Sequence, residues 1–128
     1  MKDPAMTQAI NWFEIPVTDL DRAQNFYESM LDRTLRRQNF GGAVLAVFPY
    51  AQPATGGALL AASDACAPSG SGVRIYLDCM PSLDAALARA EGAGGQIVEP
   101  KSALPADMGF VAQVRDTEGN LIGLHALA

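Results

Sequence analysis

The fold is decided by residues 10–21, INWFEIPVTDLD, which predict a strand that runs directly into a helix. Residues 10–17 are rich in aromatic and β-branched side chains, as strands are. The threonine and acids after them are typical of a helix start, and we expect Thr18 to cap the helix. Alternation along the strand gives two faces, one with Phe13, Ile15 and Val17 and the other with Trp12, Glu14 and Pro16.

The helix that follows carries an apolar stripe at helical spacing, formed by Leu20, Ala23, Phe26, Tyr27, Met30 and Leu31. Three strand-like runs come next, at 34–40, 43–48 and 57–62, and glycine- or proline-rich segments separate them. The first half of the chain therefore predicts one strand, one helix and three further strands.

A connector of small residues, ACAPSGSG at 65–72, lies almost at the middle of the chain, and the pattern begins again after it. Residues 73–79 predict a strand, and Ser82 is expected to cap a helix that ends at the glycines of 92–95. Further strands are predicted at 96–99, closed by Pro100, and at 110–115 and 121–126, which form a hairpin around residues 116–120.

This internal repeat predicts a single domain, 1–128, made of one module at 7–64 and a second at 72–128. Two modules of this size typically pack around a pseudo-twofold axis, with a ligand-binding groove between them. The alternative is an α+β sandwich whose halves are similar by chance.

Composition narrows the function classes. Nine Lys and Arg against fourteen Asp and Glu give a net charge of −5, which disfavours nucleic acid or a membrane surface as a partner. The apolar runs are too short to span a bilayer, and no secretory signal is expected. Cys66 and Cys79 have no neighbouring histidine or paired cysteine, which argues against a zinc site or a disulfide and suggests a cytoplasmic protein.

Several motifs are shared with a known family. Residues 14–27 follow the pattern Glu-Ile-Pro-Val-x-Asp-Leu-x-x-Ala-x-x-Phe-Tyr, and residues 116–125 follow Asp-Thr-Glu-Gly-Asn-x-Ile-x-Leu-His. From residue 10 onward the chain resembles the vicinal oxygen chelate superfamily, which includes glyoxalase I, extradiol dioxygenases and bleomycin-resistance proteins. The resemblance implies an α+β fold of two βαβββ modules that form a cupped mixed sheet around a central cleft. It also implies a frequent dimer and, in many members, a divalent metal.

The metal positions of the family are only partly retained. Two of them fall on Trp12 and Gly123, neither of which offers a donor to a divalent ion. We therefore expect the ordinary glyoxalase I site to be lost and no cofactor to be needed. A displaced triad of Glu14, Asp78 and His125 would still allow a divalent metal.

The alternation of side chains between the two faces of each strand then selects the candidate site. Aligned with the family without a gap, the strand at 73–79 would point Ile75 into the groove. One inserted residue near Met80 would instead point the polar face of this strand, Arg74, Tyr76 and Asp78, into the groove. We prefer this second register. Glu14 and His125 are predicted as catalytic acid–base residues, with Glu14 partly buried. The predicted substrate-binding residues are Trp12, Arg74, Tyr76 and Asp78.

Each of these residues also has a structural interpretation. His125 would then only hydrogen-bond to a neighbouring strand, and Arg74 would only neutralise Glu14 or Asp78. Trp12 and Tyr76 serve equally well as pocket walls.

Three functions follow as hypotheses. The first is a glyoxalase-related enzyme of lyase, isomerase or epimerase type that acts on a small organic molecule, with or without metal. The second is a non-catalytic protein that sequesters a drug or metabolite, and the third is a degenerate module that acts by association. A homodimer is expected in each case, and the substrate is beyond what the sequence specifies.

Overall fold

A computed structural model describes residues 4–5, 8–64 and 66–128, and these residues form two successive βαβββ modules. The first module contains β1 (Trp12–Val17), α1 (Leu20–Leu31), β2 (Arg36–Phe40), β3 (Ala43–Val47) and β4 (Gly56–Ala61). The second contains β5 (Tyr76–Asp78), α2 (Leu83–Gly92), β6 (Gln96–Ala103), β7 (Phe110–Arg115) and β8 (Leu121–Ala126). The predicted α+β fold is confirmed. The predicted module start at residue 7 and connector start at residue 65 lie outside the described residues.

The two modules have the same topology. The first sheet has the order β1-β4-β3-β2 and the second the order β5-β8-β7-β6. In each sheet the first strand of the module runs parallel to the last. Trp12 lies opposite Gly56 in the first sheet, and Tyr76 lies opposite Gly123 in the second. An aromatic residue therefore faces a glycine at corresponding places in the two sheets.

One hydrophobic core joins the modules. The two helices contact each other, and buried side chains of both sheets pack against them. Phe26, Ile122 and Leu124 are buried as predicted, and Phe13 is partly buried against the same cluster. The face of the first sheet that points away from the helices has a smaller apolar cluster of its own, formed by Leu45, Val47 and Ala58 with Leu60 beside them.

Two local predictions are wrong. The first helix is capped by Asp19, whose side chain accepts a hydrogen bond of 3.0 Å from the backbone N–H of Arg22, and not by Thr18. The strand β6 continues through Pro100 to Ala103, because it lies at the edge of its sheet and is bulged there. Ser82 caps the second helix as predicted.

The turn between β7 and β8 ties the second module to the first. Asn120 donates from its side-chain amide to the carbonyl of Pro16 at 2.8 Å, and the hydroxyl of Tyr27 donates to Asp116 at 2.6 Å. Both Asp116 and Asn120 are buried. The Asn120 bond holds β1, the strand that carries Trp12 and Glu14, and the Tyr27 bond holds α1. No helix of the described ranges is long and apolar enough to cross a membrane.

Candidate ligand-binding site

A pocket of about 410 Å³ lies on the face of the first sheet that points away from the helices. We call it the β3 pocket, since the residues of β3 form its floor. Its lining residues come from three strands and are Trp12, Glu14, Gln38, Phe40, Leu45 and Val47. The volume lies within the range of small-molecule sites in proteins.

Strand register explains why these side chains converge. Glu14 lies opposite Ala58 of β4, and Ala58 lies opposite Val47 of β3. Leu45 in turn lies opposite Gln38 of β2. Residues paired across a sheet point to the same face, so the four strands present one continuous surface. The small side chain of Ala58 leaves space between the residues of β1 and the aliphatic floor.

Two aromatic rings stand at the sides of the β3 pocket. Trp12 is 39% exposed and meets Tyr50 edge to face, with 6.0 Å between ring centroids. The ring of Tyr50 lies over Gly56, where an added Cβ would be only 2.7 Å from a ring carbon. Phe40, on the opposite side, is 73% exposed. A large exposed aromatic ring beside a buried aliphatic floor is a surface that a flat apolar molecule can cover.

The polar groups of the β3 pocket lie on its two outer strands. Oε2 of Glu14 accepts a hydrogen bond of 3.3 Å from the indole N–H of Trp12. On β2, Oε1 of Gln38 accepts a bond of 3.1 Å from the guanidinium of Arg36. The expectation that Glu14 is partly buried is wrong, since its side chain is exposed.

Three of the remaining predicted residues, Tyr76, Asp78 and His125, lie on the second sheet, and Arg74 lies just before β5. Tyr76 is paired with Gly123 and Asp78 with His125, so all four lie on one face, while Leu77 is buried on the other. The polar face of this strand therefore points away from the core, and the preferred register, which places that face in a ligand groove, stays a prediction.

The predicted site residues are not brought together in one cavity. Glu14 and His125 lie on different sheets, and none of five well-formed cavities lined by the described residues contains both. Arg74 lines a separate cavity of about 480 Å³ with residues of β6 and β7. Asp78 lines a cleft of about 230 Å³ between the modules. The catalytic roles of Glu14 and His125 stay predictions.

The surroundings of His125 and Arg74 bear on their structural interpretations. Nε2 of His125 lies 2.7 Å from the backbone carbonyl oxygen of Met108, and a carbonyl only accepts, so this nitrogen carries the proton. The ring thus bonds to the backbone of the turn between β6 and β7, and not to a neighbouring strand as its structural interpretation expects. Arg74 takes part in none of the ion pairs found within the described residues.

No three His, Cys, Asp or Glu side chains of the described segments are grouped closely enough to hold a metal ion. A triad of Glu14, Asp78 and His125 is therefore not assembled within one chain. Gly123, where the resemblance places a metal ligand, is covered by the ring of Tyr76, which would lie 2.4 Å from an added Cβ.

Four lining residues of the β3 pocket, Gln38, Phe40, Leu45 and Val47, were missed from the sequence. Their strands are predicted at 34–40 and 43–48, and alternation within those strands carries the missing signal. The cross-strand register that brings Phe40 and Trp12 to one pocket is set by non-local pairing and is not visible in either strand alone.

Comparisons with known proteins agree with this architecture. A sequence model of the Glyoxalase/Bleomycin resistance protein/Dioxygenase superfamily matches residues 9–124. No curated protein sequence is significantly similar to this chain.

Solved structures of the same fold cover nearly the whole chain. A glyoxalase/bleomycin resistance protein from Streptomyces sp. CB03234 is 25% identical, with a TM-score of 0.69 over 91% of this chain and 99% of its own. One from Albidiferax ferrireducens T118 is 22% identical, with a TM-score of 0.68 over 91% and 97%. TnmS3, an antibiotic binding protein from Streptomyces sp. CB03234, is 24% identical, with a TM-score of 0.66 over 95% and 98%.

Proposed function

The chain belongs to the glyoxalase/bleomycin resistance protein/dioxygenase superfamily, and we propose that it is a binding protein that holds a small organic molecule in the β3 pocket. The observation that carries this proposal is the pairing of a buried aliphatic floor, Leu45 and Val47, with the exposed rings of Trp12 and Phe40. A flat apolar ligand that covers this surface removes apolar area from water, and this favours binding. That TnmS3 is an antibiotic binding protein supports a sequestering role for a chain of the same fold.

Binding is favoured over catalysis by the groups that line the β3 pocket. They offer one carboxylate, Glu14, and one amide, Gln38, but no second titratable group. General acid–base catalysis requires a proton donor and acceptor within hydrogen-bond reach of the same reacting group. His125, the predicted partner of Glu14, lies on the other sheet.

Catalysis is the second candidate, and one observation favours it. Asp78, Tyr76 and His125 form a polar group on one face of the second sheet. In a homodimer that brings this face against the β3 pocket of another copy, Glu14 and His125 would come from different subunits.

We also propose that the chain forms a homodimer with twofold symmetry. In the described sheets, β1 and β5 pair on one side only, as β2 and β6 do, so β1 and β5 each offer a free strand edge. Exposed apolar residues lie beside these edges, with Val73 96%, Ile10 51% and Tyr76 48% exposed. A second copy would cover both edges and these side chains.

Light scattering on Val73→Asp tests this: the wild type should have the mass of a dimer and the variant that of a monomer. Leu127→Asp, which changes an apolar residue of similar type (58% exposed), should stay dimeric.

The binding proposal is tested through the single tryptophan of the chain, which is Trp12 itself. A flat aromatic compound that enters the β3 pocket should quench its fluorescence. Phe40→Ala should weaken that binding about tenfold, in line with the loss of one aromatic contact surface. Val98→Ala, which changes an exposed apolar residue of β6, should leave affinity unchanged. Equal affinity in the wild type and Phe40→Ala for every compound that binds would exclude this pocket.

A further inference from the structure

The β3 pocket is polarised along its length, because its acid lies at one end only. Of the six lining residues, Glu14 alone carries a formal charge. Glu14 belongs to β1 and Gln38 to β2, the two outer strands of the sheet. Three strand spacings separate them, which is roughly 14 Å between backbones. A ligand that lies across the strands therefore meets a different chemistry at each end.

The end at Glu14 is suited to a cation. Oε2 of Glu14 accepts the indole N–H of Trp12, which leaves Oε1 free to accept a further donor. None of the ion pairs in the described part of the chain involves Glu14. The face of an aromatic ring also attracts positive charge, and indole does so most strongly. A carboxylate beside an indole is thus a site for an amine or a conjugated cation.

The end at Gln38 is suited to an acceptor. Its Oε1 is already bonded to the guanidinium of Arg36, so its Nε2 is the atom left for a ligand. Arg36 lies opposite Val47 and is therefore on the same face of the sheet, outside the lining of the pocket. The donors of Gln38 and Arg36 favour a carbonyl, hydroxyl or ether oxygen at this end of a ligand, and they disfavour a second cation there.

Resting on the proposed function, we propose that the ligand is a flat, multi-ring aromatic molecule with a cationic amine directed at Glu14. Its rings lie on Leu45 and Val47 between Trp12 and Phe40, and its far end carries a hydrogen-bond acceptor. The charge of the ligand selects the orientation, while the rings supply most of the buried apolar surface.

Isothermal titration calorimetry with three probes tests this. Proflavine is a tricycle that carries a single positive charge at neutral pH and tests the charge preference alone, acridone is an uncharged tricycle of similar shape, and anilinonaphthalene sulfonate is an anionic aromatic. Proflavine should bind most tightly and the sulfonate least. Glu14→Gln should weaken proflavine about threefold to tenfold, as expected for an exposed ion pair with a cation–π contribution, and weaken acridone less. Phe40→Ala should weaken proflavine and acridone alike.

The outcomes separate the two proposals. If acridone binds in a Phe40-dependent way but proflavine binds no better, or Glu14→Gln has no effect on proflavine, the pocket stands and the cationic ligand class is wrong. Preference for the sulfonate would assign the dominant charge to Arg36 and likewise overturn it. If neither tricycle responds to Phe40→Ala, the binding function of the β3 pocket itself fails.

Discussion

The carboxylate of Glu118 accepts a hydrogen bond of 2.7 Å from Nε of Arg22, although the two residues are 96 positions apart. The same carboxylate accepts the backbone N–H groups of Thr18 at 2.9 Å and Asp19 at 2.8 Å, at the start of α1. The Glu118 side chain has no exposed surface. A negative charge at a helix N-terminus is favoured by the unpaired N–H groups and the helix dipole. The second module thus supplies an anion to the first helix, and this contact joins the modules.

Replacing Glu118 by Gln should destabilise the protein by about 2–3 kcal/mol, because charge-assisted hydrogen bonds become neutral ones and one carboxylate acceptor becomes a donor. Urea denaturation measures the free energy of unfolding. Asp21→Asn is the matched control, since it removes a carboxylate from an ion pair with Arg37 that is exposed on the surface. That control should change stability little. Equal effects of the two variants would show that the Glu118 contact does not hold the modules together.

Acid should weaken the same contact. The hydrogen bond from Arg22, followed by backbone and Thr117 donors, lowers the pKa of Glu118 from 4.5 to about 2 against the opposing effect of burial. The folded state therefore binds this proton less tightly than the unfolded state does. The stabilisation is complete above about pH 4.5 and is lost as the pH falls toward 2. Melting temperatures of the wild type and Glu118→Gln should converge over this range, and a constant difference would contradict the assignment.

Tyr27→Phe should cost about 1–2 kcal/mol, because it removes a buried hydroxyl that donates to Asp116 at 2.6 Å. Asp116 keeps the backbone N–H groups of Glu118 and Asn120 and the Asn120 amide as donors, which limits the loss. Tyr50→Phe, which alters a partly exposed tyrosine in the first module, is the control and should be near neutral. The free energies of unfolding of the two variants give the comparison. A Tyr27→Phe variant as stable as Tyr50→Phe would show that this bond contributes nothing net.

Much of the fold follows from local pattern. The capping side chain of Ser82 and the alternation of β8 are properties of short segments, so the second helix and the face of His125 were predicted correctly. Threonine and aspartate both cap helices, so the residue pattern alone does not decide between Thr18 and Asp19. The choice is settled by Glu118, which binds the backbone N–H of Thr18 from another module.

The site was less predictable, because it depends on which strands become neighbours. The place of Glu14 within a strand indicates a partly buried charge. The small side chain of Ala58 beside Glu14 instead leaves the carboxylate open to water. Alternation predicts that one groove unites Glu14 with His125, but each belongs to a separate four-stranded sheet. Sequence alternation assigns a side chain to a face and gives no information on which faces meet.

Purified protein should contain less than one equivalent of zinc or nickel per chain. Trp12 and Gly123 offer no donor atoms, and the described residues contain no three-donor cluster. Elemental analysis after purification without chelators is the measurement. One bound equivalent that is lost in both Asp78→Asn and His125→Gln, but retained in the control Asp84→Asn on α2, would establish the displaced triad instead.

Glu14→Gln and Glu118→Gln make the same chemical change at two glutamates with opposite surroundings. Glu14 is exposed and accepts a single hydrogen bond, from Trp12, whereas Glu118 is enclosed and accepts bonds from Arg22 and two backbone N–H groups. We expect Glu14→Gln to change the free energy of unfolding by less than about 0.5 kcal/mol, as for most surface substitutions. Thermal melting of the two variants side by side provides the measurement. A large loss in Glu14→Gln would mean that its carboxylate has a buried partner, such as Arg74 of a second subunit, and would remove Glu14 from the ligand site.

If turnover of some substrate is found, its loss in Glu14→Gln at unchanged melting temperature and ligand affinity would identify Glu14 as the general base and favour the enzyme over the binding protein.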